Sequence, residues 1–187
     1  AWKQKLLLLQ NELLPGDYAD LPEPTVVSVW FEKKPGQEAK VIIPSPARGP
    51  LAAHLAEALD SIGIPVRPVD SANAMEFELV VKNLYILTTN IAGLETGGSV
   101  GELWSGHRDL ARAVGNDVID IQEALTGNSY DREALFDAMV AAFEGDPHHK
   151  CMGRSAPARL KRALEHAARH GLAVPALKRI AQERGDE

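Results

Sequence analysis

Apolar and polar positions change their rhythm about seventy residues into the chain. Before that point, short runs of β-branched and aromatic residues are separated by turn formers. Thr25 to Glu32, TVVSVWFE, reads as a strand, Lys34-Pro35-Gly36-Gln37 supplies a turn, and Glu38 to Ile43 returns as its hairpin partner. Lys5 to Leu9 reads as a short buried strand ending at Gln10-Asn11, and Asp17 to Pro24 as a polar loop. Ser45-Pro46 and Gly49-Pro50 end the sheet region. Leu51, His54, Leu55, Ala58, Leu59 and Ile62 then form the apolar face of a helix closed by Gly63. Ile64 to Val69 carries two prolines, which suit only an edge strand.

After residue 70 the period becomes helical. Asp70-Ser71 is a good N-cap, and the longest apolar run of the chain follows, from Phe77 to Trp104. Phe77, Val80 or Val81, Leu84, Leu87 or Thr88, Ile91 and Leu94 recur every three or four residues, with more than one face apolar. A helix of that kind is buried, so the rest of the chain is expected to pack around it. Glu78, Lys82 and Asn90 interrupt it too often for a bilayer span. Gly97-Gly98-Ser99 is a weak loop signal inside this helical stretch, and Val100 to Trp104 adds one short turn. His107 to Leu125 is an amphipathic helix with Leu110, Val114, Val118, Ile121 and Leu125 on one face and Gly127 beyond its end. Asp131 caps a helix with Leu135, Met139, Val140 and Phe143 inside, stopped by Gly145. Asp146 to Arg154 is a polar loop. Ser155 caps a helix bearing Leu160, Leu164 and Ala167 that ends at Gly171, and Pro175 opens a last one with Leu177 and Ile180 inside. The fold class is therefore α+β, a small strand-rich part at 1–70 followed by an all-helical part at 71–187.

Two polar residues ride on the apolar helix. Lys82 and Asn90 lie eight positions apart, which is roughly 80° around a helix axis and ~12 Å along it. Both can line one side of a cleft. A partly buried Lys requires an anion, a carbonyl or a shifted pKa. Chemistry alone favours the plainer alternative, in which Lys82 reaches water and Asn90 caps or bends the helix end.

Composition narrows the function classes. The net charge of −6 over 187 residues argues against nucleic acid as a partner. Residues 150–187 hold nine Lys and Arg against four Asp and Glu, a local +5 that leaves −11 for the first 149. That basic end is expected to pair with the acidic remainder. A single cysteine, Cys151, excludes an intramolecular disulfide and fits a reducing cytoplasm. Lys3 and Lys5 before four leucines mimic an export signal, but Gln10, Asn11 and Glu12 interrupt it without a small-residue cleavage site, and export is rejected.

Other constellations are weaker. His148, His149 and Cys151, with His166 and His170 one turn apart, form the only metal-like set. Their spacing matches no standard ligand pattern and Lys150 repels a cation, so no metal is expected. Asp117, Asp120 and Glu123 read as the wet face of their helix. Cys151 beside Lys150 and His149 could have a lowered pKa, though a lone loop thiol is more often incidental. Neither G-x-G-x-x-G nor a P-loop occurs, so the chain lacks its own phosphate-cradling turn.

LLLLQNELL, a strand hairpin, GIPVRPVD, VVKNLYILTTNIAGL and HGLAVPAL follow one another in an order that resembles ketopantoate reductase (2-dehydropantoate 2-reductase) and its relatives. The likeness covers nearly the whole chain, from the late part of the family's nucleotide-binding domain onward. It implies a strand-rich remnant of a Rossmann-type domain at 1–70 and a helical substrate or dimerisation domain at 71–187. It implies an NADP-dependent oxidoreductase acting on a small 2-keto acid or related carbonyl, cytoplasmic, without nucleic-acid or membrane partners, for which a homodimer is possible. Lys82 matches the family's general acid, Asn90 a substrate-holding Asn, and Gln10-Asn11 a turn near the nicotinamide, which assigns Asn11 to the cofactor.

The sequence departs from that pattern at three places. Glu12 replaces the glycine of the turn, and Ile86 stands where a further Asn is common. The start of the penultimate helix, GRSAPARLKRA, lacks the family's Thr-Glu pair, leaving Ser155 nearest to the substrate-binding acid. Without a glycine fingerprint the chain is expected to be inactive alone. The alternative is a non-catalytic helical binding or dimerisation module built on the same scaffold.

Overall fold

The computed structural model describes residues 6–185. Lys3 and Lys5, invoked above for the export mimic and the first strand, lie outside that range. The chain divides into two compact units, and the division falls between Lys82 and Asn83.

In the first unit the strands are β1 (Leu7–Gln10), β2 (Thr25–Ser28), β3 (Phe31–Glu32), β4 (Lys40–Val41), β5 (Ser45–Arg48) and β6 (Val66–Pro68), with helix α1 (Ala52–Asp60) between the last two. Four of them form a mixed sheet in the order β1-β2-β5-β6, and β3 pairs with β4 in a separate antiparallel ribbon. The parallel β1–β2 pair sets Gln10 opposite Ser28. Val27, Ala47 and Ala52 form the buried centre, with Leu7, Val29, Leu55 and Val66 packed on it.

Three expectations are corrected here. TVVSVWFE is two strands, interrupted at Val29 and Trp30, where the N–H of Trp30 donates to Ser45 Oγ at 2.9 Å in place of a ladder partner. Ser45-Pro46 does not end the sheet but opens β5, a central strand. Pro46 is tolerated because the ladder to β2 uses only Ala47 and Arg48. Ile62, assigned to the buried face of α1, is 65% exposed, because the helix stops at Asp60 and the chain turns at Gly63. The edge position of β6 is as its prolines require.

Helix α2 (Ala72–Thr96) follows, opened by Ser71 Oγ, which accepts from the N–H of Ala74 at 3.1 Å. Leu79 through Thr89 are buried without a break, the all-round burial that its apolar faces predict. Gly97-Gly98-Ser99 is a firm helix break. Both glycines are left-handed (φ 62 and 70), a conformation cheap only without a Cβ, and Ser99 with Glu102 forms a capping box for α3 (Val100–Gly106).

The second unit continues with α4 (Arg108–Thr126), α5 (Arg132–Gly145), α6 (Ala156–His170) and α7 (Pro175–Arg184). Helix α4 touches α3, α5, α6 and α7 and is the hub of this unit. Its cap Gly127 is left-handed, and Asp131 Oδ1 accepts from the N–H groups of Glu133 and Ala134 at 3.0 and 3.2 Å, opening α5 as expected. Asp117 is not on a wet face: it is 4% exposed and caps α7 from the side. Asp120 and Glu123 do face outward, and both accept from Arg132. Ser155 precedes α6 but makes no side-chain cap, because its backbone is already helical (φ −86, ψ −2).

Candidate functional site

Lys82 is the polar residue that the apolar pattern of α2 singles out. It does not reach water: it is 5% exposed, and its Nζ lies 3.7 Å from the ring centroid of Trp30, which has no exposure at all. A cation over an indole face is attracted by the ring quadrupole, the more so away from water. The polar partner at the opposite end of the helix pattern, Asn90, sits well inside α2 and is not its cap. Its Oδ1 accepts a hydrogen bond from Arg159 Nη1 at 3.0 Å, and both residues are half-buried.

Arg159 is one turn into α6, and its N–H donates to the carbonyl oxygen of Ser155 at 3.0 Å. In the second unit Asn90 therefore meets the helix that Ser155 opens, through a cation not anticipated as a site residue. The segment 153–163 offers four basic residues and no acid, and that excess was the only signal available in the sequence. Ser155 and Asn11 are themselves exposed.

In the first unit, Asn11 follows the C-terminal end of β1. Just inside it, Gln10 Nε2 and Ser28 Oγ are buried without a hydrogen-bond partner, on residues paired across β1 and β2. Gln10 Oε1 is already engaged by the N–H of Leu13 at 2.7 Å, so the amide leaves its donor unbonded. Buried orphan groups of this kind call for a polar guest. The phosphate end of a dinucleotide finds no comparable fit. Among the described residues the strand–glycine–helix turn is that of β5, Gly49 and α1, and a Cβ on Gly49 would lie 2.5 Å from Thr25 Cα. That glycine admits the neighbouring strand, not a pyrophosphate.

The histidines and Cys151 do not converge on a metal, and no such group of His, Cys, Asp and Glu occurs among the described residues. His149 lies against the Tyr85 ring, 6.2 Å between centroids, and near Asp146. Burial raises the Tyr85 hydroxyl, with Asp146 and Cys151 adding to it. Cys151 is 1% exposed, and burial followed by the charge of Glu102 pushes its thiol up to about 11, the reverse of an activated thiolate. No described helix is long and apolar enough to cross a membrane.

No protein-family model matches the chain, and no curated protein does either. Solved structures do. A dimeric ketopantoate reductase from Staphylococcus aureus matches with a TM-score of 0.63 at 19% identity, over 94% of this chain and 65% of that one. The chain has the ketopantoate-reductase fold. The 2-dehydropantoate 2-reductase of Methylococcus capsulatus gives a TM-score of 0.65 at 13% identity, over 96% of this chain and 64% of that one. D-mandelate dehydrogenase, solved with NADH, gives 0.64 at 15% identity over 96% of this chain and 70% of its own. The chain thus spans under two thirds of the length of the ketopantoate reductases that it matches.

Proposed function

We propose that the chain is the substrate-side part of a ketopantoate-reductase-like, NADP-dependent oxidoreductase that reduces a small 2-keto acid or related carbonyl. The observation that carries this reading is Lys82, a buried amine on the long central helix of a ketopantoate-reductase fold. As an ammonium it would donate a hydrogen bond to the carbonyl oxygen, stabilise the developing alkoxide and release a proton to it. A reduced nicotinamide supplies hydride when bound. Asn90 and Ser155 are assigned to the substrate and Asn11 to the cofactor. Residues 1–70 are assigned as a partial nucleotide-binding domain and 71–187 as the substrate and dimerisation domain.

Ketopantoate itself suits the site poorly. No carboxylate stands at the start of α6 to pair its hydroxyl, and an unpaired buried hydroxyl costs about 1–3 kcal/mol. A simpler 2-keto acid avoids that cost. Since the described residues lack a pyrophosphate turn, NADPH binding by the chain alone is expected to be weak. Titration with NADPH, following nicotinamide fluorescence, tests this. A saturable rise in emission supports the reading.

A second reading is a cytoplasmic, non-catalytic binding or dimerisation module. It is favoured by the carboxylate-free start of α6 and by Arg159, which already engages the Asn90 amide. A stable homodimer that answers neither NADPH nor any 2-keto acid would decide for it.

A further inference from the structure

Resting on the reading of Lys82 as a proton donor, we propose that Trp30 is a positioning residue, whose indole face keeps the Lys82 amine an ammonium inside the protein and so commits it to acid rather than nucleophile chemistry. Burial by itself works the other way, because a charged amine loses its water. A neutral amine offers the ring only a weak N–H dipole, whereas an ammonium adds a full charge facing the ring quadrupole, so the contact stabilises the protonated form more. Nζ lies 3.7 Å from the ring centroid, within the range in which that charge–quadrupole attraction acts. Imine formation with a carbonyl requires the neutral amine, so the same contact disfavours a covalent role.

Trp30 is itself fixed at both backbone groups. Its N–H donates to Ser45 Oγ at 2.9 Å, and its carbonyl oxygen accepts from the N–H of Ile42 at 2.8 Å. These bonds sit at the interruption between β2 and β3, so the residue that breaks the strand is the one that carries the ring. Glu78, one turn before Lys82 on α2, pairs with Arg67. The ring is thus anchored independently of the lysine that it faces.

The Cε chemical shift of a lysine follows its own protonation, so NMR titration of protein carrying isotope-labelled lysine reports the charge state of Lys82 without a reagent that must reach it. The Lys82 signal is assigned by its loss in Lys82→Met, with exposed Lys34 as internal standard. In Trp30→Leu the Lys82 titration profile should move to lower pH by about one unit, a tenfold loss of proton affinity, as removal of a desolvated cation–π partner implies. Trp30→Phe, with a weaker ring quadrupole, should fall between. A Trp30→Leu profile that coincides with the wild type overturns the proposal. If Trp30→Leu does not fold, Trp30→Phe decides alone, a downward shift supporting the proposal and coincidence overturning it. The titration needs neither substrate nor turnover. A Lys82 held charged that takes no part in carbonyl reduction would refute the enzymatic reading and leave this one standing.

Discussion

Asp117 Oδ2 accepts a hydrogen bond from the backbone N–H of Leu177 at 3.0 Å, joining the middle of α4 to the first turn of α7. The first N–H groups of a helix have no partner within it, and a carboxylate there also meets the positive end of the helix dipole. Helix α7 needs such help, because it departs from Val174, a buried β-branched residue held at φ 40. Burial raises the Asp117 carboxyl above the usual range, and the N–H groups of Leu177 and Ala176 pull part of the way back.

Replacing Asp117 by Ala should cost about 1–3 kcal/mol in urea denaturation, since the Leu177 N–H loses a buried acceptor. Asp117→Asn keeps an acceptor and should cost less. The pH dependence has a definite sign. A carboxyl raised in the folded state binds its proton more tightly there, so its contribution is full below the unfolded value of about 4 and is lost as pH rises through the folded one. The wild type should therefore lose more stability than Asp117→Asn as pH climbs from the acid side of that window to neutrality. Parallel profiles would contradict this.

Gly115 lies on the buried face of α4, where an added Cβ would come within 2.6 Å of Phe136 Cε1. Gly115→Ala should lower stability by about 1–3 kcal/mol through overpacking. Gly106, at the end of α3, has open space where its Cβ would go. There Gly→Ala should be neutral or stabilising by up to ~1 kcal/mol. Thermal denaturation of the pair checks both signs.

Sequence pattern made the helices legible wherever one face was apolar and a cap was present, as at Asp131 and Gly127. It failed where tertiary context decides. Asp117 shares a helix face with solvated carboxylates by spacing, and only the arrival of α7 buries it. Pro46 reads as a terminator until β2 is seen to leave it outside their ladder. The two-glycine break after Thr96 is masked in the pattern because apolar residues resume beyond it. Lys82 was legible as an anomaly, but its position over Trp30 was not, the two being 52 positions apart with no motif linking them. Arg159 and Asn90, 69 positions apart, gave no mutual signal at all.

Cys151 should resist modification. Its thiol is pushed up to about 11, and Gly93 of α2 leaves no room beside it, since a Cβ there would lie 2.8 Å from Cys151 Cβ. Alkylation by iodoacetamide at neutral pH is expected to be negligible in the native protein and complete in urea. Rapid native labelling would show an accessible, activated thiol and contradict the burial described.

The role given to Lys82 is tested most directly by calorimetric titration of the wild type and Lys82→Met with 2-keto acids such as pyruvate, with no cofactor present. A charge-assisted hydrogen bond to the carbonyl oxygen is worth about 1.5–3 kcal/mol, so the account predicts binding by the wild type and a Kd roughly ten-fold or more weaker in Lys82→Met. Equal affinities, or no binding by either, would contradict it.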